Sequence, residues 1–138
     1  MKIKFAIFSD LHYDEIQDGN ERIDDFLSHI KKAKAEFIVD LGNFCYPSKE
    51  NNIVLNKLKS SELPCYFTIG NHNTDRFTID EVIKFFDLKR SYYSFIKANI
   101  KFIILDYNLI KKRMELYPFI KKIMIKRPMI THIFLMKK

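Results

Sequence analysis

Glycine, cysteine and tryptophan are scarce in this chain of 138 residues, which holds three Gly, two Cys and no Trp. Two cysteines cannot alone build a four-ligand zinc site or a disulfide scaffold, so Cys45 and Cys65 are expected to be unpaired thiols. Long apolar runs are missing as well. Stretches such as Ile38-Val39 and Ile103-Ile104-Leu105 are bounded by charge, so no membrane span is expected. The opening residues reach Asp10 too early for a secretory leader, and a cytoplasmic location is expected. With 47% apolar and 30% charged residues, the composition excludes a disordered tail and a collagen-like repeat. The length suits one domain.

Positive charge is in excess at +7, but it is unevenly placed. Residues 1–96 hold 13 Lys and Arg against 15 Asp and Glu, a balance of −2, whereas residues 97–138 hold 11 against 2, a balance of +9. The basic doublets of that tail, such as Lys121-Lys122 and Lys126-Arg127, alternate with apolar residues. Such a tail could contact nucleic acid or an anionic surface, but lysines flanking core positions give the same pattern, and no nucleic-acid motif accompanies them.

Hydrophobic periodicity orders the elements. Ile3, Phe5 and Ile7 lead into Ser9-Asp10 as a first strand. Ile23, Phe26, Leu27, Ile30 and Ala33 fall at helical spacing behind Asn20 as a cap. Phe37-Ile38-Val39 reads as a second strand stopped at Gly42, residues 51–60 as a second helix, and Cys65 to Ile69 as a third strand running into Gly70. Thr78 and Glu81 have the spacing of a capping box ahead of a third helix. The order βαβαβα predicts an α/β fold built on a parallel sheet. A hairpin follows, with strands at 92–95 and 100–105, then a helix from Leu109 to about Met124 and a strand around 129–134.

Polar residues collect where these strands end: Asp10-Leu11-His12, Gly42-Asn43 and Gly70-Asn71-His72-Asn73. Parallel strands deliver their carboxyl ends to one edge of the sheet, so the three clusters are expected to meet. Asp10 and His12, with one residue between them, can point the same way from an extended segment. Carboxylate, amide and imidazole donors together suit Mn, Fe or Zn. His29, on a helix among Ser28, Lys31 and Lys32, is expected to be solvated.

In these blocks the chain resembles the calcineurin-like metallophosphoesterases, whose signature runs Asp-x-His, Gly-Asp, Gly-Asn-His-Asp/Glu, a lone His, then Gly-His-x-His. The resemblance implies a partial metallophosphoesterase-type αββα sandwich and a pair of divalent metal ions (Mn, Fe or Zn) that hydrolyse phosphate mono- or diesters. Asp10 and His12 would bind one metal and Asn71 the other, Asn43 would take the bridging position, and His132 would stand for the lone His. His72 would be the catalytic residue, stabilising the transition state or protonating the leaving oxygen.

The chain also departs from that pattern. Asn43 and Asn73 stand where the family has carboxylates, the first bridging the metals and the second partnering the histidine. Asp40 could replace the first carboxylate only from a different backbone position, and Asp75 the second only if the loop bends back. No Gly-His-x-His block follows His132, so residues 1–138 are expected to form a single but incomplete domain. Three readings remain open at this level. They are a phosphoesterase impaired by these changes, an inactive member or fragment of the same family, and a binding module with a basic tail. Nucleic acid would be a partner only as substrate or through that tail.

Overall fold

The computed structural model describes residues 2–106 and the backbone of a strand at 133–137. Strand β1 (Ala6–Phe8), helix α1 (Gly19–Ala33), strand β2 (Ile38–Asp40), helix α2 (Asn52–Lys59) and strand β3 (Cys65–Phe67) alternate as the periodicity requires. The three strands form a parallel sheet in the order β1-β2-β3, with Ala6 opposite Ile38 and Ile38 opposite Cys65. Each strand is shorter than its apolar run. Phe5 and Ile69 lie outside the ladder yet pack in the interior, since burial and not pairing sets the alternation there.

Helix α1 begins one residue before Asn20, with Asp18 in the cap position and no capping side-chain bond. Asn20 therefore is not the cap; its side-chain oxygen accepts from the Tyr13 hydroxyl at 3.1 Å. His29 is exposed, as expected. A four-residue helix, α3 (Asn71–Thr74), follows Gly70, too short to leave a periodic signal. The capping box before α4 (Ile79–Phe85) forms as read: Thr78 Oγ1 accepts from Glu81 N–H at 3.3 Å while the Glu81 carboxylate accepts from Thr78 N–H at 2.7 Å.

Strands β4 (Tyr93–Lys97) and β5 (Ile100–Ile104) make the hairpin. The turn is tighter than the four residues expected, because Ala98 and Asn99 both adopt left-handed backbone, the geometry of a two-residue hairpin turn. Strand β6 (Ile133–Lys137) pairs antiparallel with β5 and shares residues 133–134 with the strand expected around 129–134, whose earlier residues lie outside the described ones. The expected helix at 109–124, and His132 with it, lie outside the described residues.

Two apolar cores explain the layering. One joins α1, α2 and α4 to one face of the parallel sheet through Ile23, Ile30, Ile38, Val54, Leu58, Phe67 and Val82. The other lies between the two sheets, where Phe37 and Val39 meet Phe102 and Ile104. Its aromatic residues interlock: Phe37 stacks on Phe5 at 4.8 Å and meets Phe102 edge-on at 5.3 Å. Helices on one face of the parallel sheet and a second sheet on the other leave the carboxyl edge of β1, β2 and β3 open for a site. No helix among the described residues is long and apolar enough to cross a membrane.

Candidate metal centre

Backbone hydrogen bonds lock the segments after β1 and β2 side by side. Asp10 N–H donates to Gly42 O at 3.0 Å, His12 N–H to Asn43 O at 2.9 Å and Tyr13 N–H to Phe44 O at 3.0 Å. Asp10, His12 and Asn43 all adopt left-handed backbone, with φ of 56°, 46° and 59°. Asp10 and His12 thus reach the same side as expected, but from left-handed residues and not from an extended segment.

Two glycines make the close approach that joins the second and third segments. Gly42 has φ +112°, and a Cβ on Gly70 would come within 2.8 Å of Asn43 Cγ and Asn43 N. Across this contact Asn43 Oδ1 accepts from His72 N–H at 3.0 Å, while Asn43 Nδ2 donates to Asp10 Oδ1 at 2.9 Å. Asp10, His12, Asn43 and His72 are therefore brought together from three strand ends. Asn71 is exposed on the first turn of α3 beside His72.

Asn73 does not touch the His72 ring. It is fully buried, and its Oδ1 accepts from Gly70 N–H at 2.8 Å and Asn43 N–H at 3.2 Å while its Nδ2 donates to Cys45 O at 2.8 Å. The partner of His72 is Asp14, whose Oδ2 lies 2.8 Å from His72 Nε2. Asp14 Oδ1 accepts from Tyr46 N–H at 2.6 Å and Asn51 Nδ2 at 3.2 Å, so the carboxylate is fixed in turn. Asp75 reaches only to 3.7 Å from His72 Nδ1, and Glu15 Oε1 to 3.8 Å. The His72 ring is further held between His12 at 4.3 Å and Tyr46 at 4.1 Å, and the Arg76 guanidinium lies over Tyr46 at 5.2 Å.

Sequence reasoning passed over Asp14 and Glu15, although they lie only two and three residues after His12. One turn brings Glu15 back over His12, because Glu15 N–H donates to His12 O at 2.8 Å. His12, Glu15 and His72 each then present a ligand atom, and these atoms lie within 4.8 Å of one another. His12 Nδ1 is buried with no hydrogen-bond partner among the described residues. Glu15 Oε2, at 3.5 Å, is in ion-pair range but beyond a hydrogen bond. An orphaned imidazole nitrogen beside a second imidazole and a carboxylate fits a divalent ion of the Mn, Fe or Zn class.

Charge at the edge is uneven. The Ser9 hydroxyl above all holds the Asp10 carboxyl below its ordinary range; burial opposes it, and the Asn43 amide and His12 add to the lowering. Asp40 behaves oppositely. Its Oδ1 accepts from Gly42 N–H at 3.0 Å, its Oδ2 is buried with no partner among the described residues, and burial pushes its pKa up to about 8, with the Gly42 bond opposing and the Asp10 charge adding. It braces the Gly42 turn, and this contact ties it away from the bridging position of Asn43.

A pH dependence follows from Asp40. Between the 3.8 of the free side chain and about 8 the folded chain holds a proton that the unfolded chain releases. The stabilisation is complete below that range and is lost as pH rises through it. Urea midpoints measured without metal should fall across this window and flatten in Asp40→Asn; an unchanged slope in the variant would exclude Asp40 as the source. The buried Cys45 thiol is likewise pushed upward, chiefly by burial, which makes it unreactive.

Among solved structures, the fold is similar to a dimetal phosphatase from Danio rerio, at 16% identity and a TM-score of 0.61, over 75% of this chain and 44% of that one. This chain thus spans less than half the length of that protein, and at this identity the likeness concerns the fold. Comparison with curated proteins finds no match. A model of the calcineurin-like phosphoesterase family matches residues 3–135. With nearly the whole chain under that match and the signature residues gathered at one sheet edge, the chain belongs to the calcineurin-like phosphoesterase family.

Proposed function

We propose that this chain is a metal-dependent hydrolase of phosphate mono- or diesters. What carries the reading is the convergence of Asp10, His12, Asn43 and His72 into one hydrogen-bonded cluster at the carboxyl edge of the parallel sheet. When bound, a divalent ion of the Mn, Fe or Zn class supplies Lewis acidity at the phosphoryl oxygens and acidifies water. The chain's own residues supply the rest. His12, Glu15 and His72 would hold the ion, Asp14 fixes the tautomer of His72, and Asp10 holds His12 and Asn43 in register. Asn71, exposed beside His72, is assigned to the phosphoryl end of the substrate through its side-chain amide. Arg76, stacked over Tyr46, offers the acidic rim a cation for the ester's oxygens.

One observation favours a second reading, an inactive member of the same family: the neutral Asn43 stands where the signature has a carboxylate. The two readings part in one assay. Purified chain stripped of metal and given Mn²⁺ should hydrolyse an aryl phosphomonoester or phosphodiester, and excess chelator should return the rate to background. No turnover with Mn²⁺, Zn²⁺ or Fe²⁺ would assign the chain to the inactive reading.

A further inference from the structure

We propose that this chain binds one divalent cation, held by Nδ1 of His12, Nδ1 of His72 and the Glu15 carboxylate, in place of the bridged pair that the family signature implies. The inference rests on the phosphoesterase reading for the class of the ion and its ligands; what it adds is their number and the exclusion of a second ion, which are measured independently of turnover.

The donor distances support a single ion. Glu15 Oε2 lies 3.5 Å from His12 Nδ1, and Glu15 Oε1 lies 3.8 Å from His72 Nδ1. Two ligands sharing an ion at bond lengths of about 2.0–2.2 Å stand roughly 3–3.5 Å apart, so the two Glu15 contacts are already near that spacing, and the three donor atoms, all within 4.8 Å of one another, draw together as a cation binds. Glu15 is exposed and free to make that shift.

His72 is oriented as a ligand. Its Nε2 is taken by Asp14 at 2.8 Å, which turns Nδ1 toward the Glu15 carboxylate at 3.8 Å, with Asp75 alongside at 3.7 Å. A carboxylate on the far nitrogen of an imidazole is the arrangement that orients metal-binding histidines and raises their basicity. It also occupies the nitrogen that a general acid would need. The unpartnered His12 Nδ1 gains its missing partner in the same step.

The bridging position is closed to a second ion. Both ends of the Asn43 amide are engaged, Nδ2 with Asp10 and Oδ1 with the His72 N–H, and the group is neutral. A bridge between two dications needs the charge of a carboxylate to offset them. In this chain the amide hydrogens do for Asp10 what a cation would otherwise do.

The test is a count. Titration of the metal-free chain with Mn²⁺ by calorimetry, and metal analysis after gel filtration, should give one Mn²⁺ per chain. Glu15→Gln, at an exposed position that leaves folding intact, should weaken binding more than about 10-fold. It should also remove the rise in Tm that Mn²⁺ gives the parent. Two Mn²⁺ per chain, no Mn²⁺, or one Mn²⁺ unaffected by Glu15→Gln would each overturn the proposal. Turnover with two ions bound would leave the phosphoesterase reading standing while the one-ion site fell. One Glu15-dependent ion without turnover would do the reverse.

Discussion

Substitution of His72 by alanine is expected to lower Mn²⁺-dependent hydrolysis of an aryl phosphoester by more than about 100-fold, beyond the range for losing an outer partner of a metal ligand. His72 is only 4% exposed and lies where the three strand ends meet. Its ring is fixed by Asp14, His12 and Tyr46, and its backbone N–H by Asn43. Asp14→Asn keeps the shape and the hydrogen bond to Tyr46 N–H but removes the charge behind the imidazole, and should cost about 10–100-fold. The order matters more than either value. A loss in Asp14→Asn equal to that in His72→Ala would mean that His72 acts only through its tautomer. Wild-type rates in His72→Ala would remove it from the site. Mn²⁺ titration of the same protein separates roles, since a pure proton donor could be lost without loss of metal.

Phe37→Ala is expected to destabilise the fold by about 3–5 kcal/mol, the range for truncating a buried aromatic ring. Phe37 is fully buried between the two sheets, stacked on Phe5 and edge-on to Phe102, Tyr66 and Phe95. Rings held at these angles cannot collapse into the space left behind, and each lost aromatic pair costs about 0.5–1.5 kcal/mol beyond buried area. Against a typical domain stability of about 5–15 kcal/mol the loss is large. Urea unfolding measures it, with Ile53→Ala as control, because Ile53 is 64% exposed on α2 and should change stability by no more than about 0.5 kcal/mol. A loss below about 1 kcal/mol for Phe37→Ala would show that the inter-sheet core contributes little.

The alternation of strands and helices was legible because apolar spacing follows burial, and burial persists where pairing stops, as at Phe5 and Ile69. The capping box at Thr78 and Glu81 was legible because both halves of it are local. Helix α3 was not, since four residues carry no period. At the site, Asp10, His12, Asn43 and His72 were recognisable from their place at strand ends. Asp14 and Glu15 were passed over because they belong to no signature block and are far from His72 in sequence, Asp14 by 58 residues. Asn73 was misjudged for a different reason. Its neighbour in sequence is His72, but its side chain turns inward to Gly70, Asn43 and Cys45, where an amide accepts from two N–H groups and donates to a carbonyl, which an ionised carboxylate could not do.

The left-handed backbone at Asp10, His12 and Asn43 puts two selections on each position. Asp, Asn and His are the residues other than glycine that tolerate this region best, and they are also the donors the site requires. A swap judged by functional group alone, such as Asp10→Glu, keeps the carboxylate but gives up the short side chain that makes the backbone affordable. Glycine would relax the backbone and delete the side chain that joins the cluster. The tolerated alphabet at these positions is therefore narrower than metal chemistry or conformation would each allow, and libraries built at the site should be drawn from the overlap.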